Sequence, residues 1–343
     1  MSFLEIVNKV SEKIRTRSDD IIVYRGHRRV DYELKPYLFR KDCEKLKDKE
    51  AELLREIEAT YPEEFSGMTT LDKLVKLQHY GFPTRLLDVT LNPLVALYFA
   101  AKDDDTNNFD GAVVVCRVPD EVVEVFDSDV VAAMSNLANL SANMKKTLSY
   151  CPPNYELGED QQENEVINSE DKKTEKLSAA DSTRVDTSIK PKAINPIFHK
   201  ILSTAKSKNN THVAKPIGEL NMDSEQYIYH EFESSPQKVV KKFVRFIKYD
   251  LPHYEESLTL GDIVNPVYVK PKQLNRRIIA QNGAFLLFGT ANDNSDFFTQ
   301  EKIIISGSAK EKILSELHAI GITEPVLFPE LDKFLAYLKK DKC

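Results

Sequence analysis

The spacing of apolar residues changes along the chain between the period of a helix and the period of a strand. Helical periods indicate helices at 1–17, 44–59, 70–80, 92–102, 127–150, 193–206 and 235–248, with two more at the end of the chain. Runs of apolar and β-branched residues indicate strands at 21–25, 112–118, 265–272, 276–289 and 302–307. Because these elements follow one another without a βαβ repeat, they predict an α+β fold with a mixed central sheet and flanking helices.

Residues 78–101, QHYGFPTRLLDVTLNPLVALYFAA, contain a helix end, an extended segment and a new helix. Gly81 can cap the first helix, and Pro83 prevents that helix from continuing. Asn92 is a good N-cap and Pro93 fits the first helical position, so the second helix is predicted to begin there. Its residues are apolar on all sides, and we therefore expect it to be buried.

The segment between these two helices has two interpretations. As extended chain it places Asp88 and Thr90 on one face and Arg85 on the other, because side chains alternate along a strand. Asp88 and Thr90 then share a cleft with Arg25, while Arg85 braces the fold elsewhere. If the chain turns in the middle of the segment instead, Arg85 and Asp88 form a salt bridge and the motif is architectural.

Composition and charge narrow the range of functions. The chain has 343 residues, 41% of them hydrophobic, which is enough for a packed core. Its net charge of -7 disfavours a general polyanion-binding surface. Four cysteines without a CxxC pair predict neither a zinc site nor a disulfide framework. No segment has the roughly 18 apolar residues that span a bilayer, and no signal-peptide core is present. We therefore expect a cytoplasmic protein without a metal or a membrane partner.

Residues 152–190 differ in composition from the rest of the chain. They are polar and acidic and contain few aromatic residues, as in GEDQQENE and SEDKKTEK. Such a segment buries too little apolar area to offset the entropy lost on ordering. The composition therefore predicts a mobile insert at 152–190.

Three separated motifs carry a resemblance to a known family. They are YRG at 24–26, LQHYGFPTRLLDVTLNPLVALYFAA at 77–101 and RRIIAQNGAF at 276–285. In this order they resemble the FRG domain, a bacterial and phage family named for its (F/Y)RG motif. The closing segment LSELHAIGITEPVLFPELDKFLAYL is similar to the usual end of that family. The resemblance implies a single FRG-type domain over 1–343, with 152–190 as an insert.

A weaker similarity connects the same motifs to the ADP-ribosyltransferase fold. VYRG resembles that fold's first motif, in which the arginine helps to hold NAD, and IIAQNGAFLLF resembles its late strand. This similarity implies a split sheet and NAD as the substrate. By spacing to Gly283, however, Arg277 stands where the resemblance expects the catalytic glutamate, and no glutamate lies between Glu256 and Glu301. The carboxylate role is then either absent or taken by another residue such as Asp88.

Arg25 and His79 are candidate catalytic residues together with Asp88. A guanidinium at a strand end can bind a phosphate or carboxylate through two hydrogen bonds, or it can pair with a core carboxylate such as Asp88 as a structural lock. His79 can act as a general acid or base near neutral pH or donate to a ligand phosphate. Alternatively, it interacts with the carbonyls at the end of its helix.

Tyr24, Arg25, Gly26, Thr90 and Gln281 are the candidate binding residues. Tyr24 can stack on a flat ring, although an aromatic residue beside a core strand also packs there for structural reasons. Gln281 can bind a nucleobase or an amide, or it can satisfy the backbone of its own loop. Each of these residues therefore has a structural interpretation beside the functional one.

These features lead to two hypotheses about function. The first is an ADP-ribosyltransferase-like enzyme that binds NAD or a related nucleotide and modifies a macromolecule in phage defence or toxin activity. Arg25 would hold the pyrophosphate or ribose of the ligand. Thr90 and His79 would contact its nicotinamide side, and Asp88 would orient or polarise the ligand. The alternative is a non-catalytic module that senses a nucleotide, a nucleic acid or a phage protein, and the missing late glutamate favours it.

Overall fold

A seven-stranded mixed sheet organises the part of the chain that the computed structural model describes, namely residues 2–102, 109–158, 235–273, 275–290 and 297–342. The strands are β1 (Ile21–His27), β2 (Leu86–Thr90), β3 (Gly111–Val118), β4 (Val123–Val125), β5 (Val267–Lys270), β6 (Gly283–Leu287) and β7 (Gln300–Ile305). They lie in the order β4-β5-β6-β2-β1-β3-β7, and neighbours are antiparallel except β4 and β5. The centre of the sheet is thus β2, with β1 and β6 beside it.

Helices connect and cover these strands. In chain order they are α1 (Phe3–Ile14), α2 (Glu44–Asp48), α3 (Glu50–Thr60), α4 (Pro62–Phe65), α5 (Thr70–His79), α6 (Pro93–Ala101), α7 (Asp129–Asn136), α8 (Ala142–Ser149), α9 (Pro236–Asp250), α10 (Arg276–Ala280), α11 (Lys310–Ala319), α12 (Glu324–Leu327) and α13 (Leu331–Lys342). The mixed sheet with flanking helices confirms the architecture predicted from the apolar pattern.

Two groups of helices cover the same face of the sheet. Leu86 of β2 packs in one apolar cluster with α5, α7 and α9. Tyr24 of β1 packs in a second cluster with α1, α6 and α11. Tyr24 pairs with Thr90, and Thr90 lies on the same side of β2 as Leu86, so both clusters share this face. The border between the two groups therefore falls at the junction of β1 and β2, while a third cluster that includes Val23 and Val89 covers the opposite face.

Local capping signals place several elements where they were predicted. Gly81 adopts a positive φ of 83° just after α5, as a helix-ending glycine does. The side chain of Asn92 accepts a hydrogen bond from the backbone nitrogen of Leu94 at 2.9 Å, and Pro93 is the first residue of α6. Because these signals act within a few residues, they are visible in the sequence.

The predicted strand at 276–289 is wrong in its first half. The side chain of Asn275 accepts a hydrogen bond from the backbone nitrogen of Arg277 at 2.9 Å and starts the short helix α10. Asn282 then adopts a positive φ of 46° just after this helix. The strand β6 begins only at Gly283. An N-cap hidden in an apolar segment explains the error.

Two predicted helices are each divided in the structure. The segment 127–150 forms α7 and α8, because Ser141 accepts a hydrogen bond from the backbone nitrogen of Met144 and starts a new helix. The segment 44–59 likewise forms α2 and α3. In addition, β1 continues two residues beyond Arg25, so that residue lies within the strand and not at its end.

The described residues all belong to one compact unit formed from both ends of the chain. The predicted helix at 193–206 and residues 159–190 of the predicted insert lie outside them. Within the described part of the chain, no helix has both the length and the apolar character needed to cross a bilayer.

Candidate functional site

A cavity of about 120 Å³ lies at the junction of β1 and β2. Residues of β1, β2, α6 and the α10 region line it, namely Tyr24, Arg25, Gly26, Asp88, Val89, Thr90, Val95, Phe99, Arg277 and Gln281. The structure thus brings together six of the seven site residues predicted from the sequence, all except His79.

The short pairing between β1 and β2 explains why a cavity forms at this position. Tyr24 and Thr90 are the one registered pair between these strands, whereas β1 and β3 pair through seven residues. Next to that pair, Nη1 of Arg25 donates a hydrogen bond to the main-chain carbonyl of Asp88. A side-chain contact therefore replaces the regular backbone ladder here, and the cavity lies beside it.

Gly26 allows α6 to approach β1 closely. A Cβ atom at this position would lie 2.1 Å from the carbonyl oxygen of Ala96 and 2.6 Å from the backbone nitrogen of Ala100. Only a residue without a side chain fits such a close backbone approach. The approach also brings Val95 and Phe99 of α6 to the cavity as its apolar wall.

Arg25 is partly desolvated and retains an unused hydrogen-bond donor. Burial lowers the pKa of its guanidinium to about 10; the charge of Asp88 opposes this effect and the charge of Arg40 reinforces it. The group therefore stays protonated at neutral pH. Its Nε is buried and has no hydrogen-bond partner among the described residues. A buried N–H of this kind favours a ligand that supplies an acceptor.

Asp88 is the exposed residue of an otherwise buried strand. Of the described residues that line the cavity, it alone carries a carboxylate. Its charge attracts Arg25, but the hydrogen bond from Arg25 goes to the main-chain oxygen of Asp88. The two side chains therefore do not form the lock considered above, and the carboxylate of Asp88 is available to a ligand.

Arg85 belongs to a different, buried cluster. Its Nε and Nη2 donate to the two carboxylate oxygens of Glu50 at 3.0 and 2.6 Å. Its Nη1 donates to the main-chain oxygen of Phe288 at 3.0 Å. These contacts exclude the alternative salt bridge between Arg85 and Asp88 and confirm that Arg85 braces the fold.

Thr90 and Gln281 connect the elements around the cavity. The Thr90 hydroxyl donates to the main-chain oxygen of Gln281 at 2.7 Å and accepts from the backbone nitrogen of Asn92 at 3.0 Å. The side-chain nitrogen of Gln281 donates to the main-chain oxygen of Leu327 at 3.0 Å. Both side chains thus use hydrogen-bonding capacity within the protein, which leaves less of it for the ligand contacts predicted from the sequence.

Replacing Thr90 with valine is expected to lower the free energy of unfolding by about 1–3 kcal/mol, because the partners of the buried hydroxyl lose their hydrogen bonds. Chemical denaturation of the purified variant measures this loss. Thr90→Ser keeps the hydroxyl and serves as the matched control. Equal stability of the valine and wild-type proteins would contradict the bridging role of Thr90.

Arg277 is a site residue that sequence reasoning did not select. It lies in α10 and lines the cavity, and its guanidinium carbon is 4.8 Å from the centroid of the Phe328 ring. Within the described part of the chain it pairs with no carboxylate. The sequence did contain a signal, since spacing to Gly283 put Arg277 where the weaker resemblance expects a glutamate. The cavity therefore has a second cation where that resemblance implies an acid.

His79 lies outside the cavity, whereas Tyr24 lines it and also packs within the protein. His79 does not line the cavity, and its Nε2 lies 3.6 Å from a carboxylate oxygen of Glu330. Tyr24 borders the cavity, but its ring is buried with α6 and its hydroxyl lies 3.5 Å from the hydroxyl of Ser11. For Tyr24 these contacts match the packing interpretation, whereas the contact of His79 with Glu330 differs from the carbonyl contact at the helix end that the sequence allowed.

Comparisons with known proteins point to one family. The model of the FRG domain family matches residues 20–108, which include β1, β2, α6 and most residues of the cavity. No curated protein and no solved structure matches the chain.

Proposed function

We propose that the FRG domain of this chain binds NAD or a related nucleotide in the β1–β2 cavity and transfers its ADP-ribosyl group to a macromolecule. Phage defence or toxin activity is the setting that the family resemblance suggests. The observation that carries the proposal is the pair of arginines, Arg25 and Arg277, in one small cavity whose described lining has a single carboxylate, that of Asp88.

Two guanidinium groups suit the pyrophosphate of a dinucleotide. Guanidinium groups bind phosphate oxygens through paired, charge-assisted hydrogen bonds. The buried Nε of Arg25 has no partner among the described residues, and Arg277 pairs with no described carboxylate. Both guanidinium groups can therefore bind an anionic ligand. Among the described residues that line the cavity, the charges of Arg25, Arg277 and Asp88 sum to +1, which also favours an anion.

Asp88 is the candidate for the carboxylate role in the reaction. In ADP-ribosyl transfer the bond between C1′ of the ribose and the nicotinamide nitrogen breaks, and nicotinamide leaves with the electron pair. A nucleophile of the acceptor forms the new bond to C1′ and loses its proton to a base or to solvent. Asp88 would stabilise the positive charge that develops on the ribose, since a carboxylate beside that charge lowers the barrier.

The size of the cavity limits how much of the ligand it encloses. Pockets that bury most of a small molecule have volumes of roughly 300–1,000 Å³, and this cavity measures about 120 Å³. The proposal therefore places one part of the nucleotide between Arg25 and Arg277, with the remainder over the neighbouring surface. The opening between β1 and β2 supports such partial insertion.

A non-catalytic nucleotide sensor is the second candidate. The observation that favours it is Arg277, which lines the cavity where the transferase resemblance implies a glutamate. Two cations and one acid suit binding of an anion without further chemistry. The two candidates differ in whether bound NAD is cleaved.

Replacing Arg277 with glutamine is expected to weaken NAD binding by about 10- to 100-fold, because a hydrogen bond to a charged group contributes about 1.5–3 kcal/mol and 1.4 kcal/mol is tenfold. Arg25→Ala should weaken binding at least as much, and Asp88→Asn should stop nicotinamide release while NAD still binds. Isothermal titration calorimetry measures binding, and mass spectrometry after incubation with NAD and cell lysate measures nicotinamide and ADP-ribosyl adducts.

Arg245→Gln is the matched control, since Arg245 is an exposed arginine of α9 that does not line the cavity. Arg25 also donates a hydrogen bond to the backbone of Asp88, so the Arg25→Ala protein could fold less well. Its melting temperature would show such a defect. In that case the binding measured for Arg277→Gln decides the test. If the wild-type protein binds NAD without releasing nicotinamide in lysate, the sensor replaces the enzyme. If the wild-type protein neither binds NAD nor releases nicotinamide, the nucleotide proposal fails.

A further inference from the structure

We propose that a surface formed by Tyr32, Tyr37, Arg40 and Lys302, here called the tyrosine surface, binds single-stranded nucleic acid by stacking bases on its two rings. None of these four residues lines the β1–β2 cavity. The inference therefore concerns a different part of the molecule and stands independently of the function proposed above.

Two exposed rings form the flat part of the tyrosine surface. Tyr32 is 40% exposed and Tyr37 is 44% exposed. The guanidinium carbon of Arg40 lies 6.0 Å from the centroid of the Tyr32 ring and 5.5 Å from the centroid of the Tyr37 ring. Because one guanidinium group is close to both rings, the three planar side chains lie together.

Main-chain contacts hold the two cations of the tyrosine surface in place. Nη2 of Arg40 donates to the main-chain oxygen of Lys35 at 3.4 Å. Nζ of Lys302 donates to the main-chain oxygens of Val30 and Tyr32, each at 3.0 Å. These carbonyl groups orient the side chains but carry no net charge, so they do not neutralise the two cations.

The segment that contains most of the tyrosine surface is basic, although the whole chain is acidic. Residues 25–42 contain six arginines and lysines and three aspartates and glutamates, a net charge of +3, whereas the whole chain has -7. The charge of the whole chain disfavours a general polyanion-binding surface, but a local basic region still attracts a polyanion.

Nearby carboxylates are bound to cations outside the tyrosine surface. Asp31 accepts hydrogen bonds from Arg29 at 3.1 and 2.8 Å, and Glu33 lies 2.9 Å from Nζ of Lys35. These hydrogen bonds lower the pKa of Asp31, and the charge of Lys302 lowers it further without a hydrogen bond between the two residues. The two cations of the tyrosine surface form no salt bridge with a carboxylate in the described part of the chain.

A buried histidine indicates that the potential near these cations is positive. His27 is 3% exposed, and its ring centroid lies 6.1 Å from that of Tyr32. Burial and the charges of Arg25, Lys302 and Arg40 lower the pKa of His27 to about 3, although the main chain of Tyr32 opposes the shift. All three charges are positive, so they attract a ligand that carries negative charge.

Rings beside cations are the groups that bind a single strand of nucleic acid. Bases stack on tyrosine rings and on guanidinium planes, while arginines and lysines bind the phosphates between the bases. Two successive bases can therefore lie on Tyr32 and Tyr37 while a phosphate contacts Arg40 or Lys302. In a duplex the bases cover one another's faces, so we expect the tyrosine surface to prefer a single strand.

The test is fluorescence anisotropy with labelled oligonucleotides of about 12 nucleotides, a length that single-strand-binding domains cover. Thymidine and uridine oligomers distinguish DNA from RNA, and a DNA duplex of the same length tests the preference for single strands. The wild-type protein should bind at least one of the single strands more tightly than the duplex. Binding of neither single strand, or equal binding of the duplex, would overturn the proposal.

Tyr32→Leu/Tyr37→Leu should weaken single-strand binding by at least about tenfold, because two stacking surfaces are lost. Tyr32→Phe/Tyr37→Phe keeps both rings and should bind as the wild type does. The matched control is Tyr61→Leu/Tyr249→Leu, at positions outside the tyrosine surface that are 60% and 81% exposed. The control should leave binding unchanged, and equal weakening in the two leucine variants would contradict stacking on Tyr32 and Tyr37.

Arg40→Gln decides the test if the melting temperature of Tyr32→Leu/Tyr37→Leu shows a folding defect. It should weaken binding and reduce the slope of the logarithm of the binding constant against the logarithm of the salt concentration by about 0.7, the value for one phosphate contact on a single strand. Arg245→Gln, at an exposed position of α9, should leave that slope unchanged. An unchanged slope in Arg40→Gln would show that Arg40 only packs against the rings, and the proposal would fail.

Discussion

Replacing Glu50 with alanine is expected to lower the free energy of unfolding by about 3–5 kcal/mol, because the buried Arg85 would lose its carboxylate partner. Glu50 joins α3 to the chain just before β2 through Arg85 and to α8 through Lys145. Urea denaturation at neutral pH measures the loss. Glu52→Ala, an exposed acid of the same helix, is the matched control and should change stability little.

The same carboxylate gives stability a defined pH dependence. Burial would raise the pKa of Glu50, but the charges of Arg85 and Lys145 outweigh it and hold the pKa at about 2, below the ordinary 4.5. The folded state therefore binds fewer protons than the unfolded state between these values. The contribution of Glu50 is fully present above about pH 4.5 and is lost as the pH falls toward 2.

In the Glu50→Gln variant, the free energy of unfolding should therefore fall less steeply than in the wild type as the pH is lowered from about 4.5 toward 2. A second check is Glu50→Ala with Arg85→Met, which removes both charges and should recover part of the lost stability. If Glu50→Ala and Glu52→Ala unfold at the same urea concentration, the buried cluster does not stabilise the fold.

Replacing Gly26 with alanine is expected to destabilise the protein by about 3 kcal/mol or more, at the upper end of the range for overpacked cores. The added methyl would lie 2.1 Å from the carbonyl oxygen of Ala96, so either β1 or α6 must move. Because α6 supplies one wall of the β1–β2 cavity, ligand binding there should weaken as well. Thermal and urea unfolding measure the first effect.

Gly283→Ala is the matched control for this substitution. Gly283 also begins a central strand, but a Cβ there would meet its nearest atom, the carbonyl oxygen of Ile278, at 3.5 Å, an ordinary contact. The control should therefore cost far less stability than Gly26→Ala. Comparable losses in the two variants would show that the close approach of α6 is not what requires glycine at position 26.

These expectations give a physical meaning to each residue of the YRG motif. Tyr24 packs under α6 and pairs with Thr90, Arg25 brings a charged group into the opening between β1 and β2, and Gly26 admits α6. Tyr24 and Gly26 thus shape the cavity, and Arg25 supplies its charged group. A short motif can thus combine packing and binding.

Features that depend on neighbouring residues were predictable from the sequence. Gly81, Asn92 and Pro93 ended and started helices as expected, because capping involves hydrogen bonds within one turn. The alternation in β2 placed Asp88 and Arg85 on opposite faces for the same local reason. Asn275 was the exception, since its capping contact was hidden in a segment whose composition indicates a strand.

Features that depend on distant partners were not predictable in the same way. The sequence marked Arg85 as a brace, but only the fold supplies Glu50, 35 residues earlier, as its partner. The sequence marked Arg277 through a spacing, but only the position of α10 brings it to the cavity with Arg25. His79 belongs to the same motif as Asp88, but its position at the end of α5 places it near Glu330 and not at the β1–β2 cavity.

By itself, the sequence determined the α+β class and the ends of the helices around β2, and it named six residues that the structure places in one cavity. The class and the helix ends follow from apolar periodicity and capping, which act over a few residues, whereas the six residues were selected from the motifs of the family resemblance and from the chemistry of their side chains. Only the tertiary structure decided that β1 and β2 pair at one point, that Arg277 joins Arg25, and that Glu50 serves Arg85 and Lys145. The reason is that burial and electrostatic attraction depend on distance in space, which separation along the chain does not specify.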